Sequence, residues 1–408
     1  MISPETIQIV KSTAPILQEN GETLTKHFYK RLLSNNPEVK PFFNASNQSV
    51  GSQQRALAAA ITAYATHIDD LGALSSAVEL IAHKHVSLQV KPEHYPIVGE
   101  NLLASIQEVL GEAATDEIVN AWAEAYGFLT KVLTAREEEI LKSNETRAGG
   151  WRGFRNFKIN RIEKESLGIR SFYLKPEDQN TLPIFLPGQY ITLRLPTSDG
   201  STTMRNYSLS EAPGKDYFRI SVKHEKGDSL KPEGYVSTRL HREYKVGDTL
   251  EVGAPCGEFF LDRNKNEGAK TSPLVLLAGG IGITPILSIL EAALEKEPKR
   301  EVCLIYGCLN PENQAFLGTL DGLVEKYENL KVHSRYSHFD EEIILTEGFS
   351  KGFVDGDLLE ANSLQEADYY FCGPKPFMVN IYQYLKSKKL SESQINYEFF
   401  GPKEELEG

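Results

Sequence analysis

Pro273-Leu274-Val275-Leu276-Leu277-Ala278-Gly279-Gly280-Ile281-Gly282-Ile283-Thr284-Pro285 is an apolar run that passes through three glycines and restarts as a helix. The first part, Pro273–Ala278, has the character of a strand buried on both faces. Glycines directly after such a strand let a dinucleotide pyrophosphate approach the backbone, and the following helix offers N–H donors and a positive dipole end. The same glycines also suit a plain tight turn. The spacing is neither G-x-G-x-x-G nor a P-loop with its lysine, so a standard Rossmann fingerprint and an NTPase are both disfavoured.

Around this stretch, apolar strands alternate with helices. Strands are expected at Val302–Tyr306, Val332–Tyr336, Tyr369–Cys372 and Asn396–Phe400, with helices at 284–296, 313–327 and 374–388. That alternation predicts an α/β domain built on a parallel sheet. Cys372-Gly373-Pro374 ends a later strand, where the carboxyl edge of the sheet should meet a nicotinamide, and Glu398-Phe399-Phe400-Gly401-Pro402 brings aromatics to the same edge.

Upstream the period changes. Tyr217-Phe218-Arg219-Ile220-Ser221-Val222-Lys223 alternates apolar and polar residues, as a half-buried antiparallel strand does. Similar runs at 155–163, 169–175, 189–195, 205–210 and 249–252 predict a small antiparallel β-barrel. Before residue 153 there is no strand period. Ser3-Pro4-Glu5 caps a helix carrying Ile7, Val10, Ala14 and Leu17, and further helices are expected at 23–33, 52–70, 74–88, 92–110 and 115–142. The polar stretch 143–150 separates this all-α part from the rest, and the domains are read as 1–145, 152–263 and 270–408.

Composition narrows the function. A net charge of −12 argues against a nucleic-acid partner, whose phosphates would be repelled. No apolar run approaches a membrane span and the first residues carry no signal-like pattern, so a cytoplasmic location is expected, with no transmembrane segment. The four cysteines, Cys256, Cys303, Cys308 and Cys372, form no C-x-x-C and are expected as buried free thiols.

Arg205-Asn206-Tyr207-Ser208, the glycine loop, Cys372-Gly373-Pro374 and Phe400-Gly401-Pro402 occur in an order and spacing that resembles the ferredoxin reductase-type flavoenzyme module, across residues 152–408. The resemblance implies an FAD site. Arg205 would bind the flavin pyrophosphate, Tyr207 would pack on the isoalloxazine, and Ser208 would reach the reactive flavin nitrogen, with Asn206 in the same motif. A guanidinium suits phosphate oxygens and an aromatic face suits a flat ring. Tyr190 in Gly188-Gln189-Tyr190 and Ser237 in Gly234-Tyr235-Val236-Ser237, read as a helix cap, would complete the site, although packing and capping account for them equally well. Glu398, Phe399, Phe400, Gly401 and Pro402 would lie beside the flavin, Glu398 tuning its potential. Gly279, Gly280, Ile281, Gly282, Ile283, Thr284 and Pro285, with Cys372, Gly373 and Pro374, would bind the dinucleotide. The segment Tyr306–Asn313 has no cation for a 2′-phosphate and carries Glu312, which favours NADH while leaving NADPH open.

In the helical third, Leu74, Val78, Ile81, His85 and Leu88 form one apolar stripe at steps of three and four, and His83 belongs to the other face. A histidine on such a stripe serves either as a satisfied core residue or as a ligand. His27-Phe28-Tyr29, Pro41-Phe42-Phe43-Asn44, Gln53 with Leu57, Lys84-His85, Lys91-Pro92-Glu93-His94-Tyr95 and Arg136-Glu137 together resemble the globin domain of bacterial flavohaemoglobins, and the whole chain is similar to flavohaemoprotein nitric oxide dioxygenases. The resemblance implies haem b held by His85, with Tyr95 and Glu137 as a polar pair behind it. Tyr29 would be the distal donor and Phe43, Gln53 and Leu57 would line the ligand side; Lys84 would tune electron arrival. Read alone, Glu137 fits a solvated run with Glu138 and Glu139, Phe43 an ordinary core aromatic, and Lys84 a solvated lysine.

On this resemblance electrons pass from NADH through FAD to haem, where O2 and NO give nitrate, with no obligatory protein partner. Reduction of peroxides or other acceptors, oxygen storage or sensing, and a haem-free flavin reductase are the competing readings.

Overall fold

The computed structural model describes residues 2–43, 51–227, 232–261, 271–338, 348–401 and 406; Asn44 and Pro402 lie outside them. The helical part contains α1 (Pro4–Asn35), α2 (Ser52–Thr66), α3 (Ser75–Ser87), α4 (His94–Leu110) and α5 (Asp116–Thr146). The N-terminal helix and the one expected at 23–33 are a single helix of 32 residues that runs through Pro15 and Gly21. Gly21 marks contact rather than a break: a Cβ there would come within 3.1 Å of Ala58 Cβ on α2. The helix expected at 52–70 stops at Thr66, and the one expected to open with Pro92 starts at His94, after a turn in which Tyr95 N–H donates to Pro92 O. α5 continues to Thr146, so the polar stretch that follows is half helical. Val10, Leu24, Phe28, Ile106 and Trp122 form its core.

The middle part is a six-stranded antiparallel sheet: β1 (Phe154–Ser166), β2 (Ile169–Pro176), β3 (Tyr190–Pro196), β4 (Thr202–Ser208), β5 (Phe218–Lys223) and β6 (Thr249–Gly253), in the order β4-β3-β6-β1-β2-β5. A bridge from Leu209 to Ile220 brings the end of β4 back to β5. Alternate residues, among them Phe157, Phe172, Leu193 and Val252, fill the interior. The helix α6 (Tyr235–Arg242) lies beyond β5.

The last part is a six-stranded parallel sheet of order β10-β9-β8-β7-β11-β12, with β7 (Leu274–Gly279), β8 (Val302–Cys308), β9 (Leu330–Tyr336), β10 (Phe349–Lys351), β11 (Asp368–Cys372) and β12 (Ile395–Glu398). The core containing α7 (Ile283–Lys296) covers one face; that containing α10 (Lys375–Ser387) and α9 (Gly356–Ala361) covers the other. α8 (Leu317–Lys326) joins β8 to β9. β10 and α9 were not expected: three and six residues are too few for either period to register. β12 ends at Glu398, so Phe399 and Phe400 follow the strand instead of completing it. All four cysteines are free and buried. No helix among the described residues is long and apolar enough to cross a membrane.

Candidate haem, flavin and dinucleotide sites

α3, α4 and α5 bring three side chains together. His85 Nδ1 is 2.8 Å from Glu137 Oε1 and 2.9 Å from the Tyr95 hydroxyl, which itself donates to Glu137. Glu137 is 4% exposed, whereas the neighbouring carboxylates of Glu138 and Glu139 face outward to Arg152 and Arg136. The solvated-run reading of Glu137 therefore fails. Two acceptors crowd Nδ1, which fixes the ring with its proton there and leaves Nε2 with no partner among the described residues. An imidazole held so, with a carboxylate behind it, is the donor set that haem iron takes.

Tyr29 is 7% exposed and packs edge-on to Phe43, with ring centroids 5.5 Å apart. Burial raises its pKa, so its hydroxyl remains a protonated donor, and no group among the described residues accepts from it. A hydroxyl donor at the edge of an apolar core fits a bound ligand that supplies an acceptor. Gln53 and Leu57 lie half-buried on α2, with Leu57 against the same core.

Lys84 is not simply solvated. Its ammonium lies 5.4 Å from the centre of the Tyr190 ring, across the junction with the barrel. Tyr190 is buried with Ala82, Val86, Ile140 and Cys256 in an apolar cluster shared by the two domains. Sequence reasoning missed three contacts at this junction. Gly257 N–H donates to His83 Nδ1 at 3.2 Å, Asn206 Nδ2 donates to Ser87 Oγ at 3.2 Å, and Asn144 lies 3.6 Å from Cys256 Sγ. Burial lowers the His83 pKa to about 4, so its ring is neutral and can accept. The one signal in the sequence was that His83 lies off the His85 stripe.

On the barrel, Arg205, Tyr207 and Ser208 end β4. Burial lowers the pKa of the Arg205 guanidinium, which donates to Met204 O at 2.6 Å, and burial raises that of Tyr207. Ser208 is buried opposite Tyr190 across the β3–β4 ladder. A half-buried cation beside an aromatic ring fits a phosphate-bearing flavin. The cap expected at Ser237 is corrected. Gly234 is the cap residue of α6, and Ser237 sits inside the first turn, accepting from Glu225 N–H at 3.3 Å and donating to Gly234 O at 3.1 Å.

At the carboxyl edge of the parallel sheet, the glycines divide by role. A Cβ on Gly282 would lie 2.1 Å from Cys372 O, and one on Gly279 2.8 Å from Pro374 Cδ, so both are glycine because the loop packs on the end of β11. Gly280 differs: its φ is +52° and nothing lies within 4 Å of its missing Cβ. An open, left-handed glycine just before α7 leaves room for a pyrophosphate. Ile281 is half-buried; Ile283, Thr284 and Pro285 are buried, with the Thr284 hydroxyl donating to Ile281 O at 3.0 Å. Gly373 packs against Phe377, and Cys372 pairs in register with Glu398. Burial, and then Glu398, raise the Cys372 thiol pKa. Phe399 is half-buried, Phe400 is exposed, and Gly401 N–H turns back to Phe399 O. Sequence reasoning also overlooked Arg335, which neighbours Gly307 across β8–β9 and pairs with Asp355 at 2.8 Å.

Comparison with known proteins follows the same division. Residues 26–133 match the family model "Globin", 156–261 match "Oxidoreductase FAD-binding domain" and 276–383 match "Oxidoreductase NAD-binding domain". The chain is 45% identical to a flavohemoprotein of Rhodopirellula baltica over all of this chain and 99% of that one. It is 44% identical to one from Oceanobacillus iheyensis, covering 100% and 98%. Among solved structures it resembles a flavohemoglobin of Malassezia yamatoensis with bound FAD and heme, at TM-score 0.83 and 26% identity, covering 98% of this chain and 100% of that one. Residues amounting to 62% of the chain match all of the FAD/NAD-binding domain of a nitric oxide dioxygenase from Vibrio cholerae, at TM-score 0.54 and 30% identity. Haem, FAD and a nicotinamide dinucleotide are thus its cofactors, in an oxidoreductase that passes electrons from dinucleotide through flavin to haem. With a globin, an antiparallel flavin domain and a parallel dinucleotide domain matched along its whole length, this chain belongs to the flavohemoprotein family.

Proposed function

We propose that the chain is an NADH-dependent nitric oxide dioxygenase that works in the cytoplasm without an obligatory protein partner, converting NO, O2 and one electron to nitrate. Bound haem supplies the iron at which the two gases react, and bound FAD converts a two-electron hydride donor into single-electron steps. The observation that carries the reading is the His85–Glu137–Tyr95 triad with its unpartnered Nε2.

In this reading His85 holds the iron through Nε2, and Glu137 and Tyr95 keep the ring oriented and electron-rich. Tyr29 provides a donor for charge developing on oxygen, in a pocket whose shape Phe43, Gln53 and Leu57 set. Arg205, Tyr207, Ser208 and Tyr190 hold the flavin, with Lys84 and Glu398 tuning electron transfer from it. The glycine loop with Cys372, Gly373 and Pro374 orients the dinucleotide. The pairing of Arg335 with Asp355 supports NADH, because it removes the cation that a 2′-phosphate would seek. Domain limits of 1–145, 152–263 and 270–408 go with this reading, the last junction lying mostly among residues 262–270, outside those described.

The test is NO consumption by purified holoprotein in air with NADH. Nitrate formed in a one-to-one ratio with NO removed is expected. Brisk NADH oxidation with peroxide as acceptor and no NO removal would replace the proposal with the peroxide-reductase reading.

A further inference from the structure

Helix α3 serves two neighbours. His85 turns toward Tyr95 and Glu137, while residues two positions before and after it lie about 200° around the helix. Those residues, His83 and Ser87, both end on the flavin barrel, accepting from Gly257 N–H and from Asn206 Nδ2, each at 3.2 Å. Asn206 is aimed by Thr192, whose hydroxyl donates to Asn206 Oδ1 at 2.9 Å and leaves the amide nitrogen for Ser87. Ser87 and Thr192 are buried, and the apolar cluster of Ala82, Val86, Ile140, Tyr190 and Cys256 seals the same junction. Strand alternation sends Asn206 to the opposite side of β4 from Arg205 and Tyr207, the side that Ser208 shares, and there both ends of its amide are taken, by Thr192 and Ser87.

We propose that the His83–Gly257 and Ser87–Asn206 contacts form a clamp that fixes the iron-bearing helix against the flavin barrel, with Asn206 a positioning residue for electron transfer and not a flavin ligand. The inference rests on His85 as the iron ligand; it is independent of what happens to NO. The exchange it governs is NADH plus two ferric haems giving NAD+, one proton and two ferrous haems. Electron transfer slows steeply with separation, and the clamp holds α3 within two residues of His85 on either side.

The experiment is anaerobic rapid mixing of the full chain, loaded with haem and FAD, against NADH, following flavin and haem absorbance separately. In Ser87→Ala and Thr192→Val, flavin bleaching should keep its parental rate while haem reduction slows roughly five- to tenfold, the loss of one hydrogen bond from the docked state. Haem and flavin content per chain should be unchanged. Asn206→Ala should slow haem reduction equally, and adding Ser87→Ala to it should slow it by less than Ser87→Ala does alone, because the two share a contact. Parental haem reduction in both Ser87→Ala and Thr192→Val overturns the clamp. So does loss of FAD from Asn206→Ala with haem reduction per bound flavin unaltered. His85→Ala separately tests the underlying reading: it should abolish the haem absorbance band, and a retained band would refute the ligand while the clamp rates are judged by themselves.

Discussion

Glu137 Oε1 lies 2.8 Å from His85 Nδ1 across 52 residues of chain, so α3 and α5 are tied at the point where the imidazole must be oriented. The carboxylate sits in a buried place, at the centre of contacts from Tyr95 and His85, and no lysine or arginine among the described residues pairs with it. Its presence makes sense if the ring it holds does chemistry.

Glu137→Gln keeps the size and removes the charge. The haem should stay bound, its midpoint potential should rise, and turnover should fall about 10- to 100-fold, the usual effect of losing an outer-shell partner. Spectroelectrochemistry beside NO-consumption rates checks it; an unmoved potential would leave Glu137 a purely structural group.

Tyr29→Phe deletes a hydroxyl that no described protein group accepts from. Stability should therefore move little, while O2 dissociation from the reduced protein speeds up by roughly five- to tenfold, one neutral hydrogen bond's worth. Flash photolysis reads this directly, and identical dissociation rates would remove Tyr29 from the ligand pocket.

Arg205→Ala should lower FAD affinity by roughly 10- to 100-fold, as expected for hydrogen bonds to a charged group. Haem content should be untouched, since Arg205 lies on the barrel strand β4. Flavin-to-haem absorbance ratios after gel filtration decide it, full flavin occupancy being the contrary result.

The periods of the chain separated helical, antiparallel and parallel parts correctly because long elements repeat their pattern many times. They could not separate Glu137 from Glu138 and Glu139. Three consecutive carboxylates look alike in sequence, and only the packing of α5 turns the first inward while Arg152 and Arg136 take the others. Asn206 was invisible as a junction residue for a related reason. It sits between Arg205 and Tyr207 in a motif read as one flavin site, and nothing in that motif tells that alternation turns it to the other side of β4, where Ser87 meets it. Ser237 was misplaced by a few residues because Gly234, which carries no side-chain signal, is the cap. Short elements such as β10 and α9 had no period long enough to detect.

The glycine loop gives a paired prediction. In Gly282→Ala the new Cβ would meet Cys372 O at 2.1 Å, backbone that cannot swing aside. A loss on the order of 3 kcal/mol and a raised KM for NADH are expected. Gly280→Ala has open space and suffers only from its φ of +52°, about 1–2 kcal/mol. Thermal unfolding of both variants checks the order, and equal losses would mean that packing on β11 is not what requires Gly282.

Glu291 on α7 lies at the contact between the flavin and dinucleotide domains, and its titration should make stability depend on pH. Its carboxylate accepts from Ala212 N–H at 2.8 Å and lies 3.9 Å from Arg219, while Ser288 on the same helix donates to Glu211 O at 2.8 Å. Burial raises its pKa from 4.5 to about 7, with Arg219 opposing and Glu211 and Glu295 adding to the rise. Between those two values the folded chain keeps a proton that the unfolded chain has lost. Stability from this group is therefore full below pH 4.5 and falls as pH climbs toward about 7, by on the order of 3 kcal/mol, then levels off. Glu291→Gln should remove that slope and leave the other groups' slopes in place. Denaturant unfolding of the full chain and the variant from about pH 5 to pH 8 measures the difference. Parallel curves would show that Glu291 titrates at the ordinary carboxylate value, its charge fully met by Arg219.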